Sequence, residues 1–146
     1  MTLTGIGVYG HTLESFLQEL RNKKIATLVD VRAFRGLRGK QYRWANNRAL
    51  QDALRASSIK YLHLKELAPP RELRSIQHAD DASAGIRKSQ RAMLADTFRN
   101  RYRQYAQEVL TQELAAMIPN HAALLCVESS DAACHRSVLI DLLRTR

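Results

Sequence analysis

The amino-acid sequence predicts a single α/β domain (1–146) with a mainly parallel sheet of at least four strands and helices on both faces. The 146 residues match the size of one domain and contain no internal repeats or low-complexity tracts. Four short apolar stretches of strand length alternate with stretches whose apolar residues recur at helical spacing. A β-α-β-α-β-α-β-α order is typical of parallel sheets, because each crossover helix covers one face.

The first half of the chain carries three predicted strands and two predicted helices. The strands are expected over three short, mainly apolar runs: Leu3 to Tyr9, Ile25 to Val31 and Ile59 to Leu64. Thr12 is a suitable N-cap for the first helix. The inward positions of that helix are expected to be Leu13, Phe16, Leu17 and Leu20. Asn46 or Asn47 begins the second helix, with Leu50 and Leu54 facing inward.

The second half begins at Pro69-Pro70, which is expected to interrupt regular secondary structure. The polar stretch 68–85 is a candidate mobile loop or lid. One or two helices follow, with these candidate inward residues: Met93, Leu94, Phe98, Tyr102, Tyr105, Val109, Leu110, Leu114 and Met117. The fourth strand lies within Ala122 to Val127, and Val138 to Leu143 supplies the apolar face of a closing helix. We expect the first strand beside the fourth, with a crevice where Gly10-His11 meets the segment 126–136.

The composition predicts a polyanionic partner. Twenty-three Lys and Arg against fourteen Asp and Glu give a formal net charge of +9, and most of the bases are arginine. Because the arginine fork pairs with phosphates, nucleic acid or a nucleotide is the expected partner. The apolar stretches are too short to span a membrane, and no amino-terminal signal pattern is visible. With only two cysteines we expect no disulfide framework and a cytoplasmic location. No residue pattern identifies a cofactor.

A thiol, an imidazole and a guanidinium follow the fourth strand in the run Cys134-His135-Arg136. Ser130 or Asp131 is a suitable N-cap, which would place Cys134 in the first turn of the last helix. A helix N-terminus and neighbouring cations favour the thiolate, so we expect a lowered pKa for Cys134.

Four interpretations of the two cysteines stay open at this point. Cys134 is a nucleophile with His11 or His135 as proton shuttle. Alternatively, Cys126, Cys134 and the same two histidines bind a metal, although the cysteine spacing is not that of a structural zinc site. The cysteines also suit a redox pair or simple core packing. No metal ligand is assigned.

Two carboxylates are expected at the carboxyl edge of the sheet. Asp30 closes the second strand, and Glu128 stands two residues beyond Cys126 after the fourth. If these strands are neighbours, both carboxylates flank His11 and supply acid-base chemistry. Asp30 would take a proton or bind a ribose hydroxyl, or else orient Arg32 or cap a loop. The predicted catalytic residues are His11, Asp30, Glu128 and Cys134.

The loop after Asp30 predicts phosphate binding and base stacking. No acidic residue occurs from Val31 through Gln51, where six arginine and lysine residues are interleaved with Phe34, Tyr42 and Trp44. The alternative is a solvated basic loop whose aromatic rings pack into the core. The predicted substrate- or phosphate-binding residues are Arg32, Arg35, Arg38, Arg43, Trp44, His135 and Arg136. A second basic stretch consists of Arg87, Lys88, Arg91, Arg99, Arg101 and Arg103.

Several of these motifs together resemble one protein family. They are Tyr9-Gly10-His11-Thr12, Val29-Asp30-Val31-Arg32, Tyr61 to Leu64 with Glu66-Leu67, and Leu125 to Glu128 followed by Cys134-His135-Arg136. The chain resembles the proteins catalogued as domain of unknown function 488 over nearly its whole length. Membership implies a fold and a pocket, and it implies no established reaction.

Three classes of function follow from these observations. The first is a small α/β enzyme with hydrolase- or transferase-like chemistry on a nucleotide or nucleic-acid substrate. The second is a binding module that holds a nucleotide or a strand end in the same pocket without turnover. The third is a metal- or thiol-based sensor built on Cys126 and Cys134.

Overall fold

The computed structural model describes residues 2–86, 93–128 and 134–145, and it confirms the predicted α/β class. Four parallel strands form one sheet: Leu3–Ile6 (β1), Thr27–Asp30 (β2), Lys60–His63 (β3) and Ala122–Leu125 (β4). Their order across the sheet is β1-β4-β2-β3, so the first strand lies beside the fourth as predicted. Each strand is shorter than the apolar run that predicted it.

The register aligns the carboxyl ends of all four strands at one edge. Leu125 pairs with Ile6 on one side and with Asp30 on the other. Asp30 in turn pairs with His63 of β3. The loops that follow the strands therefore start next to one another, which is where parallel α/β sheets bind their ligands.

Six helices lie in the described residues. They are Leu13–Asn22 (α1), Asn47–Ala56 (α2), Arg71–Ala84 (α3), Asp96–Val109 (α4), Gln112–Ala116 (α5) and Arg136–Arg144 (α6). Thr12 caps α1 as predicted, since its Oγ1 accepts the Ser15 N–H at 3.1 Å. The Ser15 hydroxyl oxygen accepts the Thr12 N–H at 2.9 Å in return, which completes a capping box.

Helices cover both faces of the sheet, as predicted. On one face α1 and α2 pack against the sheet through Phe16, Leu20, Leu50 and Leu54. On the other face the contacts come from α4 and α6, among them Phe98, Tyr102, Val138 and Leu139. All four residues of β4 are buried because the strand lies between two others and under both layers.

Two expectations about the second half of the chain are corrected. Most of the stretch 68–85 is helix α3 rather than a loop, and that it moves as a lid stays a prediction. The Gln77 side-chain oxygen accepts the Ala95 N–H at 2.8 Å, which joins α3 to the start of α4. Met93 and Met117 are 61% and 51% exposed, so their predicted inward placement is wrong. Both stand just outside a helix, where helical spacing no longer sets the direction of a side chain.

Among the described residues, no helix combines the length and the apolar character needed to cross a membrane. The predicted N-caps Ser130 and Asp131 lie outside the described residues, as do Arg87, Lys88 and Arg91 of the second basic stretch.

Candidate functional site

A cavity of about 250 Å³ lies at the carboxyl edge of β2 and β4. The sheet side of its wall includes Arg32, Cys126, Val127, Glu128 and His135. The helical side includes Arg74, Gln77 and His78 of α3 and Phe98 of α4. Apolar walls with a few converging polar groups are typical of ligand sites.

The sequence predicted a crevice beside Gly10-His11. The cavity lies instead on the β2 side of β4. The loops after β1 and β4 do meet, because the N–H groups of Val8 and Tyr9 donate to the Val127 carbonyl at 3.0 and 2.9 Å. This contact joins the two strand ends, and the cavity lies on the other flank of β4.

Asp30 and Arg32 form a fully buried ion pair. The Arg32 Nε and Nη2 atoms donate to the two Asp30 oxygens at 2.9 and 2.8 Å, and the Tyr61 hydroxyl donates to Asp30 Oδ2 at 2.6 Å. The Arg32 Nη1 atom donates to the Ala45 carbonyl at 2.9 Å, which anchors the far end of the basic loop. Of the two roles considered for Asp30, this geometry supports the orientation of Arg32.

Burial and hydrogen bonding shift two pKa values around this pair. Burial alone lowers the pKa of Arg32, but the hydrogen bonds and the charge of Asp30 raise it above its ordinary value. Burial and the Asp30 carboxylate raise the pKa of Tyr61 to about 12. Arg32 therefore stays charged and Tyr61 stays a hydrogen-bond donor at neutral pH.

Glu128 and His135 bring polar groups from two different segments to the cavity wall. They are buried, with 3% and 6% exposure, and both line the cavity. His135 Nε2 lies 3.0 Å from the Val31 carbonyl oxygen. Because a carbonyl only accepts, the neutral ring carries its proton on Nε2 and leaves a lone pair on Nδ1.

The Nδ1 atom of His135 faces both cysteines. It lies 3.5 Å from Cys134 Sγ and 3.9 Å from Cys126 Sγ. The two sulfurs and a ring nitrogen of His135 all lie within 4.8 Å of one another. Three buried soft or borderline ligand atoms are thus gathered beside the cavity.

The expected lowering of the Cys134 pKa is wrong. Burial and the neighbouring Cys126 raise the pKa of the Cys134 thiol well above its usual value. Cys134 is 1% exposed, and α6 begins two residues later at Arg136. A thiol outside the first turn gains little from the helix dipole, and burial disfavours its charged form.

His11 lies apart from these groups. Its Nδ1 is 2.9 Å from Ser15 Oγ, its Nε2 is 3.7 Å from Glu19 Oε1, and its ring packs edge-on against Phe16. These contacts place it against α1. Among the described residues, His11, Asp30, Cys134 and Arg136 are not part of the cavity wall, and Arg136 is fully buried.

The aromatic residues of the basic loop have two different environments. Trp44 packs against Phe16 with ring centroids 5.0 Å apart, and Tyr42 packs against Tyr9 at 5.4 Å. Phe34, in contrast, is 72% exposed at the cavity wall. Trp44 is half-buried in this contact and its role in substrate binding stays a prediction, whereas Phe34 offers an exposed ring face.

Arginines of the basic loop line a second, open groove on the other side of Phe34. Its wall includes Arg35, Arg38, His63 and Lys65. Arg35 also donates to the Asn47 side chain at 2.9 Å, which holds it against α2. Arg43 is exposed and lies outside both walls.

The sequence reasoning did not identify the α3 residues of the site. Arg74 lies with its guanidinium carbon 4.9 Å from the centre of the Phe34 ring, and Gln77 and His78 line the cavity. A signal was present, because Leu73 and Gln77 are four residues apart and Pro70 is suited to a helix start. The polar composition of 68–85 hid it.

Comparison with known proteins gave one finding. The family model described as "Domain of unknown function DUF488" matches residues 12–143, nearly the whole chain. Neither the curated proteins nor the solved structures gave a match.

Proposed function

The chain belongs to the DUF488 family, and we propose that it binds one nucleotide unit of a nucleic acid at the cavity and acts on it chemically. The observation that carries this proposal is the position of Phe34. Its exposed ring stands between a half-open cavity, where a few polar groups converge on mainly apolar walls, and an open basic groove.

The groove suits a phosphate backbone. Arg38 and Lys65 contribute exposed cations, and Arg35 adds a guanidinium that Asn47 holds in place. Groups of this kind neutralise phosphates without reading sequence. The net charge of +9 supports the same class of partner.

Phe34 and Arg74 suit a base. A nucleobase that stacks on the free face of the Phe34 ring gains about 1–3 kcal/mol. Arg74 lies against the same ring and restricts its movement. A base or sugar held there would direct its reacting group into the cavity.

Glu128 is the group that we assign to proton transfer. It is buried and lines the cavity, whereas the two ring nitrogens of His135 face the Val31 carbonyl and the cysteine sulfurs. A carboxylate beside a bound group can act as the general base of hydrolase- or transferase-like chemistry on a phosphate-bearing substrate. Asp30 is a positioning residue, because its carboxylate holds the Arg32 side chain in place.

Binding is tested with a labelled single-stranded oligonucleotide by fluorescence anisotropy over a range of salt concentrations. Replacement of Arg38 and Lys65 together by Gln should reduce the log–log salt slope by about 1.4, since each lost phosphate contact is worth about 0.7. The control is Arg21→Gln with Arg101→Gln, an equal loss of charge at exposed positions outside the groove. Equal slopes for the two double variants, or no salt-dependent binding by the unaltered protein, would refute the proposal.

Stacking and turnover need separate variants. Phe34→Ala should weaken oligonucleotide binding by about 1–3 kcal/mol. Met117→Ala removes another exposed apolar side chain, outside the cavity and the groove, and should leave binding unchanged. Glu128→Gln should bind oligonucleotide normally but convert none of it. Mass spectrometry of a pool of oligonucleotides and nucleotides should show products with the unaltered protein and none with the variant. Binding without any converted product would identify a binding module.

A further inference from the structure

We propose that Cys126, Cys134 and His135, three ligands from the described part of the chain, form a zinc site whose fourth position faces the cavity. This inference does not depend on the proposed nucleic-acid function, because it rests on the geometry and chemistry of the three side chains alone.

The first argument is distance. In tetrahedral zinc sites the Zn–S distance is about 2.3 Å and the Zn–N distance about 2.0–2.1 Å, which places sulfur and nitrogen about 3.5 Å apart. His135 Nδ1 lies 3.5 Å from Cys134 Sγ and 3.9 Å from Cys126 Sγ. A tetrahedral zinc ion also places its two sulfurs about 3.8 Å apart. With all three atoms within 4.8 Å of one another, shifts of no more than about 1 Å would complete the site.

The second argument is the hydrogen bond on the far side of the imidazole. The Val31 carbonyl oxygen lies 3.0 Å from His135 Nε2 and fixes the proton there. Histidines that bind metals regularly donate their second ring N–H to a carbonyl or a carboxylate. The ring edge contact with Tyr102, at 5.3 Å between centroids, also restrains the orientation of His135. Nδ1 is thus presented to the sulfurs before any metal binds.

The third argument concerns the kind of metal and the kind of site. Two thiolates and an imidazole favour zinc over magnesium or calcium, which prefer oxygen ligands. Structural zinc sites use four protein ligands, whereas three ligands beside an open position are the arrangement of catalytic sites. Cys126 and His135 both line the cavity, so a water molecule or a substrate oxygen has access to the fourth position.

The test uses the full-length protein, reduced with a phosphine and stripped of metal with a chelator. Cobalt(II) should bind with a stoichiometry of one and give a thiolate-to-cobalt charge-transfer absorption with the intense visible bands of a tetrahedral ion. Zinc should displace the cobalt and abolish these bands. If the reduced protein gives no charge-transfer absorption, the proposal is wrong, whatever its affinity for nucleic acid.

Variants assign the ligands. Cys126→Ser, Cys134→Ser and His135→Gln should each weaken zinc binding by at least about 100-fold, the upper range for loss of even an outer-shell contact. Affinity is measured by competition with a chromophoric chelator. His121→Asn is the matched control, because His121 is exposed in a turn with φ +57°, which Asn tolerates.

Folding is checked separately for each variant by circular dichroism and thermal unfolding without metal. If a folded variant binds zinc as tightly as the unaltered protein, the substituted residue is not a ligand. If all three variants do so, the proposed zinc site is wrong. If the buried cysteine variants do not fold, His135→Gln and the cobalt spectrum of the unaltered protein still decide the question.

Discussion

Removal of the Asp30 carboxylate is expected to destabilise the protein strongly. In Asp30→Ala the fully buried guanidinium of Arg32 loses two hydrogen bonds and its counter-charge, and the Tyr61 hydroxyl loses its acceptor. Breaking a buried ion pair on one side costs about 3–5 kcal/mol, a large fraction of the roughly 5–15 kcal/mol that stabilises a typical domain.

The assay is urea unfolding followed by the fluorescence of Trp44, the single tryptophan, which is half-buried against the core residue Phe16. For a denaturant slope of about 1.5 kcal/mol/M, a loss of about 3–5 kcal/mol lowers the midpoint by about 2–3 M. Asp52→Ala is the matched control. It removes an aspartate that pairs with Arg55 at 3.2 Å, but the two side chains are 62% and 75% exposed. It should cost less than about 1 kcal/mol.

A double variant separates the ion pair from the packing. Asp30→Ala combined with Arg32→Met leaves no buried charge, so it should be more stable than Asp30→Ala alone. The reasoning is refuted if Asp30→Ala costs less than about 1 kcal/mol, or if the double variant is no more stable than the single one.

Two further predictions concern Tyr61 and Thr12. The pKa of Tyr61 is raised from 10.0 to about 12, so the folded state holds the phenol proton more tightly. The resulting stabilisation is present below pH 10 and is lost as the pH rises towards 12. The free energy of unfolding should therefore fall more steeply in this window for the unaltered protein than for Tyr61→Phe, and parallel curves would contradict the assignment. Thr12→Ala should cost about 1 kcal/mol in urea unfolding, because α1 loses its cap, while Thr12→Ser should be nearly neutral.

The sequence predicted the fold well because the spacing of apolar residues that marks a strand or a helix is visible within a few neighbouring positions. Four strand-length apolar runs separated by helical spacing allow few arrangements other than a covered parallel sheet. The cap at Thr12 and the neighbouring charges Asp30 and Arg32 also depend on residues two or three apart. Short-range chemistry of this kind is visible in the residue order.

The site could be predicted only in part, because its walls come from distant segments. Glu128 and His135 line the cavity at the sheet edge, where the sequence placed them, but the polar composition of α3 hid the helix whose Arg74 and His78 form the other side. The aromatic residues of the basic loop show the same limit. A loop has no period, so Phe34 and Trp44 look alike in the sequence although one is exposed and the other packs on Phe16.

The cysteines show how a small error in a helix start changes the chemistry. A helix that included Cys134 would favour its thiolate, but α6 begins at Arg136 and the thiol is buried instead. The same shift turns Cys134 towards Cys126 and His135. The sequence spacing alone did not reveal this cluster, because two cysteines eight positions apart come together only in the folded chain.

The central position of β4 determines the order in which this protein can fold during its synthesis. Ala122 pairs with Leu3 on one side and with Thr27 on the other, so the sheet stays in two parts until the last strand has been made. At about 5–20 residues per second, β2 and β3 wait about 3–12 s with one unpaired edge while the chain extends to residue 122. Pairings between such distant segments also slow folding, and open edges favour aggregation. The nascent chain should therefore depend on chaperones until β4 has left the ribosome.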